Sequence, residues 1–319
     1  MGGRYHGSAT GSSPEKWTRQ PSGRWAGRVS CFYVVFTCQD CVVQQLVLGT
    51  AQWGDSYGVT NAVGRLADSE IASIVAVARE SGITEVDTAR GYGAAQARLR
   101  PFARDFAVTT KVTGGGDVLA QVDASLAELG LDSLDGVLIH DWDTLDCKGQ
   151  GISVLSYGQL LDSGKVARVG VSVYDSAGLE SAASTFDVGG VPLGMLQVPA
   201  NVLDRRLDAS PLLMELAAAG THVVVRSALL QGVLLSSGGG LADHPDVVRF
   251  RESISPESSP LEACLAHVRA LPWATHVVVG VTSAVELKQI VDSWKSCKPR
   301  IADPSLGSTD VDLIDPRRW

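Results

Sequence analysis

Asp87, Tyr92, Lys111 and His140 carry the groups that delivery of a proton to a reacting carbonyl oxygen demands, and they fall at the ends of consecutive β-rich runs or just after them. A carbonyl carbon that accepts hydride needs a proton at its oxygen in the transition state. Tyrosine is a poor acid at its ordinary pKa of about 10, so something must favour the phenolate. A neighbouring Lys⁺ does so by opposite charge, and a carboxylate can hold that lysine in place and keep it protonated. An imidazole can orient the carbonyl and add a hydrogen bond to the developing oxyanion. Tyr92, Lys111, Asp87 and His140 fit these roles in that order. Singly, a histidine at a strand end is usually structural and a lysine after a strand usually solvated; only their joint placement is informative.

The elements that must position them recur from Leu46 to Trp294. Strands are predicted at Leu46–Thr50, Ile83–Asp87, Ala107–Val112, Leu134–His140, Ala167–Val173, Met195–Val198, His222–Arg226 and His276–Val281. Helices are predicted between them. Asp68 is read as the cap of Ser69–Glu80, where Ile71, Ile74, Val75 and Ala78 fall at helical spacing, and Asp117 as the cap of Val118–Leu129, closed by Gly130. Ile152–Leu161, Leu212–Ala219, Pro260–Ala270 and Val285–Trp294 complete the set. Runs such as Gly136–Ile139 and Val223–Val225 are apolar without alternation, the mark of parallel strands covered by helices. Eight β-then-α units in about 250 residues predict a (β/α)₈ TIM barrel with the site at the C-terminal ends of its strands. A doubly wound open sheet is the alternative, weakened because no G-x-G-x-x-G turn follows the first strand.

Composition narrows the function class. Net charge is −8 over 319 residues, with 45% hydrophobic residues and 34 glycines. An acidic balance argues against a nucleic-acid partner, because phosphate neutralisation needs a basic face. No window approaches the ~18 consecutive apolar residues that a membrane span needs. The six cysteines, Cys31, Cys38, Cys41, Cys147, Cys264 and Cys297, are thinly spread, and Cys38–Cys41 has no second pair at zinc spacing. They read as thiols of a cytoplasmic protein, with no metal expected. His140–Asp143 superficially suggests a metal cluster, but adjacent residues of an extended segment point in alternating directions. Residues 1–44 read as a disordered extension or an early start, residues 45–296 as the barrel and residues 297–319 as an irregular tail. The apolar run Val29–Phe36 behind Arg24 and Arg28 mimics a secretory signal without its small-residue cleavage pattern.

Several segments resemble, in order, those of the aldo-keto reductase superfamily. Val86-Asp87-Thr88-Ala89-Arg90-Gly91-Tyr92-Gly93 resembles its D-T-A-x-x-Y-G signature, Thr110-Lys111 its lysine strand and Leu138-Ile139-His140 its histidine strand. Gly164–Ser172 is similar to G-K-[IV]-R-x-[IL]-G-[VL]-S, and Gln197–Asn201 to Q-x-x-[YP]-N. Arg226–Gly232 resembles the seventh-strand segment and Val279–Ser283 the eighth. The resemblance implies that Asp87, Tyr92, Lys111 and His140 form a catalytic tetrad. It implies that Ser172 and Gln197 hold the nicotinamide carboxamide, and that Arg226, Ser227, Leu229 and Gln231 also contact the cofactor. Gly280, Thr282, Ser283, Glu286 and Gln289 would line its phosphate and adenosine end. Gln52, Trp53, Tyr57, Trp142 and Tyr174 are the candidates for the substrate pocket. The opening Leu48–Gly54 with Tyr57-Gly58 looks most like the branch around sugar and cell-surface polysaccharide biosynthesis.

Departures from the family pattern bear on the cofactor. Val173 stands where Asn usually follows Ser172, Arg226 where an aromatic residue often stacks on nicotinamide, and Gln96 where Glu is common. Near the start of the last helix only Lys288 is basic, and a Glu286 carboxylate pointing inward would repel a phosphate. NADPH is the expected cofactor from family habit, with NADH as competitor. The expected activity is reduction of an aldehyde or ketone, a sugar or keto-sugar among them, by a monomer or homo-oligomer. The alternatives are a cofactor-binding sensor subunit with little catalysis, and a barrel enzyme using Lys111 as a Schiff-base nucleophile. The Gly-rich segment 232–259 is either a flap over the cofactor or a passive insertion.

Overall fold

Eight parallel strands close on themselves in chain order, β1 pairing with both β2 and β8. The computed structural model describes residues 44–140, 142–145 and 154–319. Strand β1 (Gln45–Gly49) is followed by a short turn α1 (Ala51–Gly54) and by α2 (Asp68–Glu80). Then come β2 (Glu85–Asp87), α3 (Ala95–Leu99), β3 (Ala107–Val112), α4 (Val118–Leu129), β4 (Leu134–Ile139) and α5 (Leu155–Asp162). The second half runs β5 (Val166–Ser172), α6 (Ser176–Gly189), β6 (Met195–Pro199), α7 (Pro211–Ala218) and β7 (His222–Arg226). It continues through α8 (Pro245–Glu252), α9 (Pro260–Arg269), β8 (His276–Gly280), α10 (Ala284–Ser296) and a final turn α11 (Val311–Ile314). The predicted (β/α)₈ barrel is therefore the fold, with strand ends displaced by a residue or two.

Packing explains why these stretches take these forms. One face of each outer helix is apolar and buried against the strands: Ile71, Ile74, Val75 and Ala78 of α2, and Val118, Val122, Leu126 and Leu129 of α4. Asp117 caps α4 by accepting the Ala120 N–H at 3.0 Å, and Gly130 closes the helix in the left-handed region at φ 68°. Inside the barrel, Leu138, Met195 and Val224 make a separate apolar cluster. Met195 also reaches Thr109, whose hydroxyl lies 3.8 Å from its sulfur, so β6 meets the non-neighbouring β3 across a filled interior.

Three local expectations need correction. Asp68 does not cap α2; Ala67 holds that position without a side-chain bond. Arg98 draws the Asp68 carboxylate away at 2.8 Å while also donating to the carbonyls of Trp53 and Leu66, each at 2.6 Å. Helix α6 was not expected. Its buried positions, Leu179, Ala182 and Phe186, stand among Ser, Ala and Gly that dilute the apolar stripe, although Asp175 caps it. The segment 232–259, expected as a flap or a passive insertion without assigned elements, holds a 3₁₀ turn at Gly240–Asp243 and helix α8. Its Val247 and Phe250 share a second apolar cluster with Leu203, Leu234, Leu313 and Ile314, so the C-terminal tail packs under the loops after β6 and β7.

Cys264 and Cys297 are free thiols, whereas Cys31, Cys38, Cys41 and Cys147 lie outside the described residues. So do the first residues of the helix expected from Ile152. Among the described residues no helix is long and apolar enough to cross a membrane, and no group of three or more His, Cys, Asp or Glu side chains could hold a metal ion.

Candidate active site

The ends of β2, β3 and β4 bring the expected tetrad together. Lys111, the fifth residue of β3, is 1% exposed and donates to an Asp87 carboxylate oxygen, to Tyr92 Oη at 3.2 Å and to the Thr88 carbonyl at 3.4 Å. Three donor positions on one ammonium thus serve three acceptors. The second Asp87 oxygen accepts Gln197 Nε2 at 2.8 Å, so β6 fixes the carboxylate from the far side. The Tyr92 and His140 rings meet edge to face with centroids 5.6 Å apart. The phenol thus has an imidazole edge-to-face with its ring and an ammonium bonded to its hydroxyl.

The loop carrying Tyr92 is pinned by close backbone contact. A Cβ at Gly54 would lie 1.6 Å from the Tyr92 carbonyl oxygen, so only glycine permits the turn after β1 to pack here. Gln96 is buried and donates to Thr110 Oγ1 at 2.6 Å, which ties α3 to β3 where the family has a carboxylate.

Burial and charge oppose each other at this centre. For Lys111, burial pulls the ammonium pKa down, but the Asp87 carboxylate, Tyr92 and their hydrogen bonds together raise it above its ordinary value. For Tyr92, burial pushes the phenol up and outweighs the lowering by Lys111. The resting site therefore holds a neutral phenol beside a charged ammonium. That is the protonation state a proton donor needs, with the cation positioned to stabilise the phenolate left behind.

The remaining expected residues lie around the same mouth. Ser172, the last residue of β5, and Gln197, in the middle of β6, are buried and directly paired in register. Arg226 lies 3.8 Å over the Tyr174 ring and donates to the Val173 carbonyl at 3.0 Å. It has no carboxylate partner among the described residues. Arg317, from the tail, covers the other face of Tyr174 at 3.6 Å. Sequence reasoning missed this residue, and only the folding-back of the tail brings it here. Ser227 and Gln231 adopt positive φ angles of 59° and 51°, which is uncommon for residues with side chains and marks a constrained loop after β7. Asn201 holds that loop by donating to the Ser227 carbonyl at 3.0 Å. Gln231 bonds to Tyr57 Oη at 3.2 Å, to Val59 N and to Thr60 Oγ1, so the loops after β1 and β7 are laced together. Leu229 is half-buried between the two apolar clusters.

Of the five pocket candidates, Tyr57 and Tyr174 face the mouth. Trp53 and Trp142 are 0% and 2% exposed and belong to the core, Trp142 against Phe186. Gln52 turns toward β8, where a Cβ on Gly280 would meet its amide at 2.5 Å, and its buried Oε1 has no partner. Thr282, Ser283 and Glu286 form the start of α10, and Gln289 is exposed one turn further on. An anionic dinucleotide fits this layout. The buried Ser172 hydroxyl and Gln197 amide suit a carboxamide, Arg226 offers a cation with no carboxylate partner among the described residues, and Gln52 holds an acceptor without a partner.

Comparison with known proteins agrees with the layout. The model of the Aldo/keto reductase family matches residues 45–299. The L-glyceraldehyde 3-phosphate reductase of Escherichia coli O157:H7 is 28% identical over 186 residues, which cover 51% of this chain and 53% of that protein; the chain spans about half the length of that curated relative. The holo form of an aldo-keto reductase from Bacillus halodurans superposes with a TM-score of 0.66 at 18% identity, over 88% of this chain and 99% of that one. Its apo form gives 0.60 at 20% identity, over 75% and 84%. At these identities the two structures speak for the fold.

Proposed function

Since the chain belongs to the aldo/keto reductase family of oxidoreductases acting on carbonyl substrates, we propose that it reduces an aldehyde or ketone with Tyr92 as the proton donor. The observation that carries this reading is the buried Lys111 ammonium shared between the Asp87 carboxylate and the Tyr92 hydroxyl. A reduced nicotinamide dinucleotide supplies the hydride when bound. Ser172 and Gln197 hold its carboxamide, and Arg226 neutralises negative charge on its phosphates. His140 hydrogen-bonds the substrate oxygen and turns the carbonyl toward Tyr92. As the carbon accepts hydride, the Tyr92 proton passes to the oxygen and yields the alcohol. Lys111 stabilises the phenolate, and Asp87 keeps that lysine charged and in place.

Hydroxylated aldehydes and keto-sugars are the proposed substrates. Tyr57, exposed beside Tyr92, offers an aromatic face that suits sugar-ring surfaces, and the curated relative is named for a phosphorylated hydroxyaldehyde. Turnover of an aldehyde, ketone and keto-sugar panel, with cofactor affinity measured in parallel, tests the reading. Tyr92→Phe is expected to lower turnover by about 10²–10⁴-fold with dinucleotide affinity little changed. Retained turnover would refute the acid assignment. Cofactor binding without turnover of any carbonyl would favour a sensor.

A further inference from the structure

The start of α10 is occupied by the protein's own carboxylates. Glu286 folds back on the turn before its helix, its two oxygens accepting Thr282 N at 2.7 Å and Thr282 Oγ1 at 2.9 Å. Glu70, reaching across from α2, accepts the Ala284 N–H at 2.8 Å. The Glu286 N–H is taken by Ser283 Oγ at 3.1 Å. Two first-turn N–H groups, Ala284 and Glu286, are therefore already satisfied, the first by negative charge, as is the Thr282 N–H just before the helix. The one basic residue in the first two turns, Lys288, faces Asp292 at 3.1 Å.

This resting arrangement bears on the cofactor because of where a dinucleotide must lie. The following step rests on the reading above, which puts the nicotinamide beside the tetrad at β2–β4. The other end then extends over the loops after β7 and β8, where barrels of this kind hold phosphate groups. A carboxylate there accepts hydrogen bonds from ribose hydroxyls, whereas a 2′-phosphate calls for a cation. We infer that Glu286, backed by Glu70, makes this enzyme prefer NADH over NADPH. Family habit alone suggests NADPH; the charges at α10 argue the reverse. A 2′-phosphate would meet two carboxylates, and the one basic residue of those turns, Lys288, is paired with Asp292.

Calorimetric titration of the 319-residue chain with NADH and with NADPH tests this without relying on turnover. NADH is expected to bind at least about tenfold more tightly, with the gap shrinking as salt screens the repulsion. Glu286→Gln is expected to strengthen NADPH about fivefold while moving NADH less than about threefold, since an amide still accepts a hydrogen bond but no longer repels phosphate. NADPH binding as tightly as NADH to the wild-type protein would overturn the inference alone and leave the reductase reading intact. Binding of neither dinucleotide would overturn that reading, and this inference with it. The wild-type comparison decides the matter even if the variant is unstable.

Discussion

The two sides of the barrel mouth use the same kinds of side chain under opposite conditions. At β2–β4, Lys111 and Asp87 have side chains 1% and 5% exposed, and each oxygen and proton is committed to a named partner. At α10, Lys288 and Asp292 are 69% and 60% exposed, and Glu286 is exposed while bonded to Thr282. Buried charges hold their energy only as a complete set, because removing one member leaves its partner desolvated and unpaired. Exposed charges contribute little to stability and act instead on what approaches them. On the proposed reading the first side tunes a proton and the second selects a ligand.

Breaking one pair on each side should expose that difference most strongly. Asp87→Ala strands the Lys111 ammonium in the interior and is expected to cost about 3–5 kcal/mol of stability as well as turnover. Asp292→Ala removes a solvent-exposed partner and is expected to cost no more than about 0.5 kcal/mol. Chemical denaturation of both variants gives the comparison directly. Similar losses would mean that the Lys111 pair is not the closed electrostatic unit described.

The pH dependence sharpens the contrast by its sign. Lys111 has a folded pKa above its unfolded value of about 10.4, so its contribution is complete below that pH and is lost as pH rises through the folded value. Tyr92 acts in the same direction: its raised pKa favours the neutral phenol in the folded state, a contribution lost above about pH 10. These two groups therefore leave stability unchanged through neutrality and lower it on the alkaline side. In Asp87→Ala, burial of Lys111 is no longer offset by the carboxylate and pulls its pKa down. The difference in stability between variant and wild type should then shrink as pH rises toward about 10. Denaturation series at stepped pH would show this, and a constant difference would contradict it.

How much of this was legible in the sequence differs between the same two sides. Strand order, the strand ends and the meeting of Asp87, Tyr92, Lys111 and His140 could be read because each strand is a short apolar run and these polar residues sit at its C-terminal end or in the loop after it. The local signal for α4 was complete, with Asp117, the apolar stripe and Gly130. Helix α6 escaped because Ala, Ser and Gly carry too little hydrophobic contrast to declare a face. Trp53 and Trp142 could not be sorted from Tyr57 and Tyr174, since an aromatic side chain looks the same in sequence whether it lines a pocket or fills the core. At α10 the direction of Glu286 was open between solvent and the turn, and its hydrogen bonds to Thr282 decide it. Glu70 was beyond reach, because nothing local ties it to Ala284, 214 positions away.

The smallest expected effect falls on Lys288, and it carries disproportionate weight. By position in the sequence it is the obvious partner for a phosphate near the start of the last helix. In the folded protein its ammonium lies against Asp292, one turn further along α10 and away from Thr282. An exposed pair of this kind is held by less than about 1 kcal/mol, so the lysine is not locked there. The Glu286 and Glu70 carboxylates nearby are bonded instead to Thr282 N and Ala284 N. Lys288→Ala is therefore expected to shift NADPH affinity by less than about twofold, against the gain expected from Glu286→Gln. Should calorimetry show Lys288→Ala weakening NADPH tenfold while sparing NADH, the lysine would be the phosphate partner. The carboxylates at α10 would then be rearranging on binding, and the division between a closed proton-tuning side and an open selecting side would have to include a movable cation.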